Sequence, residues 1–259
     1  MILSQILEEK ERVVEQRKEA LPLADLRKAL EALPPAASSF KKAISASGIN
    51  LIAEVKKKSP SKGLLRRDFR PVEIASDYAV AGAKALSVLT DEKFFGGSLE
   101  ILKEIKKGVQ LPVLEKDFII DEYQVYEARF YRADAILLIA DILTEKQIQR
   151  FLAIAQELGM DAVLEVHTDE DIAKAQETKA EIIGINNRNL HDFKVNIETT
   201  PRLIRHIPHG RIIVSESGIN SYKDVMYLHS LGVNAVLIGE AFMKADDIVA
   251  KVREVMGTR

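Results

Sequence analysis

Six short apolar runs of this sequence end in residues that ionise or hydrogen-bond strongly. Glu54-Val55-Lys56 closes one and Leu114-Glu115-Lys116-Asp117-Phe118 another. Leu164-Glu165-Val166-His167, Gly184-Ile185-Asn186-Asn187-Arg188, Val214-Ser215-Glu216-Ser217-Gly218 and Ile238-Gly239-Glu240 close the rest. If the runs are strands, alternation sends Glu54 and Lys56 to one face, Lys116 and Phe118 to one face, and Glu165 and His167 to one face. Unpaired charge is costly in a core. Charges recurring on inward faces therefore point to a polar mouth that receives a ligand, rather than to strand ends that merely meet water. Ser217-Gly218 and Gly239-Glu240 suit a phosphate, because glycine lets backbone N–H groups approach an oxyanion closely. Glu240 fits there only if its side chain turns away and its N–H faces the phosphate. Lys56, Lys57, Lys58, Lys62, Arg66, Arg67 and Arg70 follow the first run. With no aromatic residue interleaved before Phe69, they suit a mobile loop attracting a small polyanion better than a nucleic-acid surface. His206 and His209 bracket Pro208 and read as a helix end. His167 reads as a supporting neighbour of Glu165 rather than a catalyst. No Ser-His-Asp arrangement and no metal-ligand cluster emerges.

The elements that must carry these residues alternate. Eight apolar runs are visible: Leu51–Val55, Ala85–Leu89, Pro112–Leu114, Ala135–Ile139, Ala162–Val166, Ile182–Ile185, Arg211–Val214 and Ala235–Ile238. Helical spacing predicts helices over Val72–Ala81, Leu99–Lys107, Glu122–Arg132, Glu145–Leu158, Asp169–Glu177, Thr200–His206, Tyr222–Leu231 and Asp247–Val255. Gly82, Gly108, Gly159 and Gly232 fall where helix C-caps belong. Alternating βα units imply a parallel sheet, and eight close into a TIM barrel, whose active site lies at the C-terminal ends of the strands. An open doubly wound sheet would usually carry a glycine-rich turn after its first strand, where this chain has Lys56-Lys57-Lys58-Ser59-Pro60. Ahead of the barrel, Ile2, Leu3, Ile6, Leu7, Val13 and Val14 recur at helical spacing. Pro22 opens a second helix that Pro34-Pro35 closes, and a third short helix runs from Phe40 to Ser45. The expected organisation is a single (β/α)8 TIM barrel over residues 48–259 with a helical N-terminal extension over 1–47 packed on it.

Composition narrows the function. At 259 residues and 47% hydrophobic, the chain can bury a core without disulfide or metal staples. Its 37 basic and 39 acidic side chains leave a net charge of −2, unlike a general nucleic-acid binder. The absence of cysteine excludes a thiol nucleophile and Cys-ligated metal sites, and fits a reducing compartment. No apolar run approaches the roughly 20 residues needed to span a membrane. The N-terminus lacks a secretory pattern. The expectation is a soluble cytoplasmic protein.

The motifs, in order, resemble those of indole-3-glycerol phosphate synthase: Glu54-Val55-Lys56-Lys57-Lys58-Ser59-Pro60-Ser61, Phe95-Gly96-Gly97-Ser98, Leu114-Glu115-Lys116-Asp117-Phe118, Leu164-Glu165-Val166-His167, Gly184-Ile185-Asn186-Asn187-Arg188-Asn189-Leu190, Ser215-Glu216-Ser217-Gly218-Ile219 and Leu237-Ile238-Gly239-Glu240. The first and the Lys-Asp-Phe motif are the most specific, and the resemblance covers nearly the whole chain. It implies a carboxy-lyase of tryptophan biosynthesis that acts without metal or organic cofactor. That enzyme converts 1-(2-carboxyphenylamino)-1-deoxyribulose 5-phosphate to indole-3-glycerol phosphate, CO₂ and water. By resemblance Lys116 is the general acid, Glu165 the general base and Lys56 the contact to phosphate and substrate oxygens. Glu54, Asn186 and Glu216 match polar residues that orient the lysines and the ribulose hydroxyls, with Ser217 in the same site. Phe95, Phe118, Leu137, Leu190 and Ile219 match the slot for the carboxyphenyl ring. Ser59 and Pro60 match the contact to its carboxylate, and Arg188 pairs with phosphate or carboxylate. Gly218, Gly239 and Glu240 match the phosphate corner. By resemblance the extension is expected to pack beside the barrel and help cover its mouth, and a role in product release is a further expectation.

Two other readings stand beside this one. A related barrel such as phosphoribosylanthranilate isomerase shares the phosphate site, but its Amadori rearrangement wants an acid/base pair of Cys or Asp type. A non-catalytic sugar-phosphate binder would not need Lys116 and Glu165 facing each other. The expected ligand is a small anionic sugar phosphate, with no nucleic acid and no membrane. The chain reads as a monomer, open to association with other tryptophan-pathway enzymes.

Overall fold

The computed structural model describes residues 2–34 and 39–258. Eight parallel strands, β1 (Asn50–Val55), β4 (Ala85–Leu89), β5 (Val113–Lys116), β6 (Ala135–Ile139), β7 (Asp161–Val166), β8 (Ile182–Asn186), β9 (Ile212–Glu216) and β10 (Ala235–Ile238), close into a barrel in which β1 pairs with both β4 and β10. Between them, β2 (Lys58–Ser59) and β3 (Gly63–Leu64) form a small antiparallel hairpin. Each expected run is a strand, so the chain is a (β/α)8 barrel.

The principal crossover helices are α4 (Pro71–Val80), α6 (Leu99–Gly108), α7 (Glu122–Phe130), α8 (Glu145–Glu157), α9 (Asp169–Gln176), α10 (Thr199–Ile204), α11 (Tyr222–Ser230) and α13 (Ile248–Met256), with short α5 (Glu92–Phe95) and α12 (Glu240–Met243) at the strand exits. Their starts follow from local chemistry. Asp121, Thr144, Thr168 and Ser221 each accept a backbone N–H from the first turn and complete a capping box. Gly82, Gly159 and Gly232 end their helices at positive φ, as expected. Gly108 does not: it is the last residue of α6, and a Cβ there would lie 2.7 Å from Val72 Cγ1, so close packing is what calls for glycine.

Alternation along the strands sorts the core into two layers. Leu51, Ala53, Leu86, Val88, Ile136 and Leu138 face the helices. Ile52, Ala85, Leu114, Ala135, Leu137, Val163 and Ile182 fill the barrel interior. Three helices precede the barrel: α1 (Ile2–Ala20), α2 (Leu23–Glu31) and α3 (Phe40–Ile44). Phe40 and Ile44 join the interior cluster at the N-terminal end, where Asn50 Nδ2 donates to the Ile44 carbonyl at 3.1 Å. Leu3 and Ile6 join the same cluster beside Phe118 at the opposite end. The second helix ends before Pro34; Pro35 lies outside the described residues.

The basic segment expected to be a mobile loop folds as the β2–β3 hairpin, and several of its cations are engaged within the protein. Lys58 Nζ donates to the Lys93 carbonyl at 2.8 Å, Arg66 to that of Ala245 at 2.9 Å, and Arg70 pairs with Asp68 and Glu73. Among the described residues no helix is long and apolar enough to cross a membrane.

Candidate active site

The inward positions at the strand C-termini are where the polar residues meet. Glu54 and Lys56 come from β1 and its exit, Lys116 from β5, Glu165 from β7, Asn186 from β8 and Glu216 from β9. All six border one cavity of about 720 Å³. Register sets the layer: Leu89 pairs with Lys116, Ile139 with Glu165, and Glu216 with both Asn186 and Leu237. Two glycines open room for the carboxylates. A Cβ on Gly239 would collide with the Glu54 side chain, and one on Gly184 with that of Glu216.

Lys116 Nζ lies 2.9 Å from Glu165 Oε2 and 3.7 Å from Glu216 Oε2, while Lys56 pairs with Glu54. Burial disfavours the Lys116 ammonium, but Glu165, Glu216 and Glu54 together outweigh it and hold its pKa above the ordinary lysine value. Burial also works against the Glu165 carboxylate, yet Lys116 and His167 keep its pKa below the usual value. Glu216 goes the other way. Burial, reinforced by repulsion from Glu165 and Glu54 against the pull of Lys116, pushes it up to about 8. Near neutral pH Lys116 is therefore an ammonium, Glu165 a carboxylate and Glu216 a carboxylic acid. A charged lysine and an ionised carboxylate in contact provide a proton donor and a proton acceptor side by side.

One wall of the cavity is apolar. Phe95 and Phe118 stand with ring centroids 6.2 Å apart, Leu137 and Leu190 belong to the same apolar cluster, and Ile219 borders the cavity as well. Phe95 sits in α5, whose N-cap Asp91 accepts the Phe94 N–H at 2.7 Å. Leu3 and Ile6 of α1, with Leu89, Ile139 and Leu237, also line it and were not foreseen as site residues. Their spacing alone reads as ordinary core, and only the closed fold reveals that they face the mouth.

The glycine-bearing corner borders the same cavity. Ser217 and Gly218 have φ of +66° and +79°, and with Gly239 and Glu240 they border the cavity. Gly239 is the N-cap of α12, with no side-chain cap. Glu240 also borders the cavity, but its carboxylate is tied up: Arg188 Nη2 lies 3.2 Å from it and Lys244 Nζ 2.6 Å. Arg188, expected to meet a ligand anion, is thus paired with Glu240 and also donates to the Phe193 carbonyl at 3.3 Å. Ser59 and Pro60 bring the hairpin to the rim, beside Ser61 and Lys62. His167 is not among the lining residues; its Nε2 stands 3.3 Å from Glu165 Oε1. Among the described residues no group of three or more acidic or histidine side chains could hold a metal ion.

A closed barrel whose C-terminal mouth sets a lysine–glutamate pair against an aromatic slot is the framework of an acid–base enzyme of the (β/α)8 class. Comparison with known proteins narrows the class. The family model for indole-3-glycerol phosphate synthase matches residues 3–255. The chain is 48% identical to an indole-3-glycerol phosphate synthase from Dehalococcoides mccartyi strain CBDB1, covering 99% of this chain and 100% of that one. It is 46% identical to one from Clostridium acetobutylicum, covering 98% and 97% respectively. Among solved structures, a 3-hexulose-6-phosphate synthase from Salmonella typhimurium shares the fold, with a TM-score of 0.64 at 15% identity over 81% of this chain and 97% of that one. This chain belongs to the indole-3-glycerol phosphate synthase family, the carboxy-lyases that form the indole ring in tryptophan biosynthesis.

Proposed function

We propose that this chain closes the indole ring of 1-(2-carboxyphenylamino)-1-deoxyribulose 5-phosphate with Lys116 as general acid and Glu165 as general base. The Lys116–Glu165 contact of 2.9 Å at the cavity wall carries the assignment. The ring carbon bearing the carboxylate attacks the ribulose carbonyl carbon, and the carbonyl oxygen takes a proton from Lys116 Nζ. The bond to the carboxylate then breaks, and its electron pair restores the aromatic ring as CO₂ leaves. In the second stage the hydroxyl departs as water with a proton from Lys56, while Glu165 removes a proton from the new ring. Glu165 then holds that proton within reach of Lys116 and can recharge it. Lys56 is recharged from solvent, so one proton is taken up per turnover as the carboxylate leaves as neutral CO₂.

The remaining residues fall into place around these steps. Phe95, Phe118, Leu137, Leu190 and Ile219 sandwich the carboxyphenyl ring, and Ser59 and Pro60 meet its carboxylate. Ser217, Gly218, Gly239 and Glu240 receive the phosphate through their backbone, with Arg188 released from Glu240 to face the incoming anion. Glu54, Asn186 and Glu216 orient the two lysines and the ribulose hydroxyls. Residues 48–259 act as the catalytic barrel and residues 1–47 as its extension, which contributes Leu3 and Ile6 to the mouth and favours product release. The enzyme acts as a cytoplasmic monomer on an anionic sugar phosphate, able to associate with other enzymes of the tryptophan pathway. The test is to mix the purified chain with that substrate and follow indole fluorescence together with CO₂ release. Both signals should rise catalytically; a bound substrate that yields neither would overturn the reading.

A further inference from the structure

Asn187 is buried next to the site residues Asn186 and Arg188, yet it does not border the cavity. Its Nδ2 donates to the Ser217 carbonyl at 3.0 Å and to Ser215 Oγ at 3.1 Å. Its Oδ1 accepts from the Thr200 backbone N–H at 3.1 Å and from Thr200 Oγ1 at 2.9 Å. Thr200 Oγ1 and Ser215 Oγ stand 2.8 Å apart. The amide thus uses both donors and both acceptor positions. Thr200 and Ser215 are fully buried. A polar triad sealed in this way specifies one geometry, where apolar side chains would have supplied packing alone.

That geometry bears on an outlier. Ser217 holds φ at +66°, a conformation that disfavours any residue with a Cβ, and Gly218 continues it at +79°. An outlier of this kind persists only when its surroundings over-determine it. The carbonyl of Ser217 is the group Asn187 grips, and Ser217 to Asn220 border the cavity. The anchor also spans three elements, since the Asn187 backbone N–H donates to the Glu216 carbonyl at 2.8 Å and its carbonyl accepts from Asn196 at 2.8 Å. We propose that Asn187 is a positioning residue of the phosphate corner, holding Ser217–Gly218 in the left-handed turn that presents its backbone to the phosphate. The inference rests on reading the cavity as a sugar-phosphate site.

The test compares wild type, Asn187→Ala and Thr200→Val, each checked for folding by thermal denaturation. Steady-state turnover is measured well below the melting temperature, and the binding of inorganic phosphate and of anthranilate by calorimetry. In Asn187→Ala, KM should rise about tenfold or more while kcat stays within about threefold. Phosphate affinity should fall by a similar factor, and the affinity for anthranilate, which lacks a phosphate, should hold. Thr200→Val removes one strut of the triad, should raise KM about threefold, and decides the matter if Asn187→Ala does not fold. Unchanged KM and phosphate affinity in a folded variant, a loss confined to kcat, or a wild type that binds no phosphate would each overturn the proposal. A wild type that binds phosphate without turnover refutes the proposed reaction but leaves the role of Asn187 to be judged by phosphate affinity.

Discussion

Lys10 of the N-terminal helix reaches 2.6 Å from the carboxylate of Asp117, the residue that follows the candidate acid Lys116, and 3.1 Å from that of Asp91. All three side chains are almost sealed from solvent. Asp117 also accepts from Thr90 Oγ1 at 2.7 Å and from the Phe118 N–H at 2.7 Å. One ammonium group therefore ties together the exit of β5, which carries Lys116 and Phe118, and the helix carrying Phe95. Burial opposes its charge, and Asp117 and Asp91 overcome that opposition, so the Lys10 pKa rises above the ordinary value.

Replacing Lys10 by methionine keeps the stem but leaves two buried carboxylates without their cation. Breaking a buried pair in this way costs about 3 kcal/mol or more. Urea denaturation of Lys10→Met at neutral pH should show that loss. A variant as stable as wild type would mean that the aspartates find compensation in Thr90 and the backbone alone.

Lys116→Ala separates binding from chemistry. Glu165, the apolar residues and the glycine-bearing corner that line the cavity all remain, so substrate should still bind within about an order of magnitude of wild type. Losing a general acid should lower kcat by about a hundredfold or more. Stopped-flow binding beside steady-state turnover reads both quantities. Retained turnover would remove Lys116 from the role of acid.

Much of this site was legible because strand alternation is a rigid rule. Glu54 and Lys56, Lys116 and Phe118, and Glu165 and His167 share faces whatever the details of the barrel, and helix starts at Asp121, Thr144, Thr168 and Ser221 announce themselves by their capping side chains. Residues whose meaning depends on closure were not legible. Lys10, among Glu8, Glu9 and Glu11, has the look of a solvated helix face, and only the fold sets it against Asp91 and Asp117. Leu3 and Ile6 carry the same period as any core-facing helix. The raised pKa of Glu216 arises from burial and from two other carboxylates on distant strands, a crowding that no local motif records. Likewise the basic segment after β1 reads as a mobile loop attracting a small polyanion until its cations are seen donating to carbonyls that follow β4 and β10, the two strands flanking β1.

Arg132 offers a test of local backbone chemistry away from the site. It follows α7 with φ of +73°, the place that Gly82, Gly159 and Gly232 take after α4, α8 and α11. A Cβ is disfavoured in that region, and glycine is not. Arg132 also adds to the repulsion felt by the neighbouring Arg129, whose pKa is lowered by burial first and by Arg132 second. Arg132→Gly should therefore stabilise the fold by up to about 1 kcal/mol, read as a higher urea midpoint with unchanged slope. A lower midpoint would show that the arginine side chain contributes more than its backbone strain removes.

Glu216 should leave its mark on the pH dependence of stability. Its ordinary value is 4.5 and its folded value about 8. Between these limits the native protein keeps a proton that the unfolded chain has released. The stability this group confers is therefore full below about pH 4.5 and is lost as pH rises toward about 8, with a slope of up to about 1.4 kcal/mol per pH unit. Glu165 acts in the opposite sense and at lower pH, because Lys116 and His167 hold its pKa down against burial. Glu216→Gln replaces the acid by a neutral amide of the same shape, so the variant should gain on wild type steadily as pH is raised from 5 to 8. Urea midpoints for both proteins at three or more values across that range decide it. Parallel curves would mean that Glu216 is already ionised in the folded barrel, and that Lys116 faces it and Glu165 as two carboxylates.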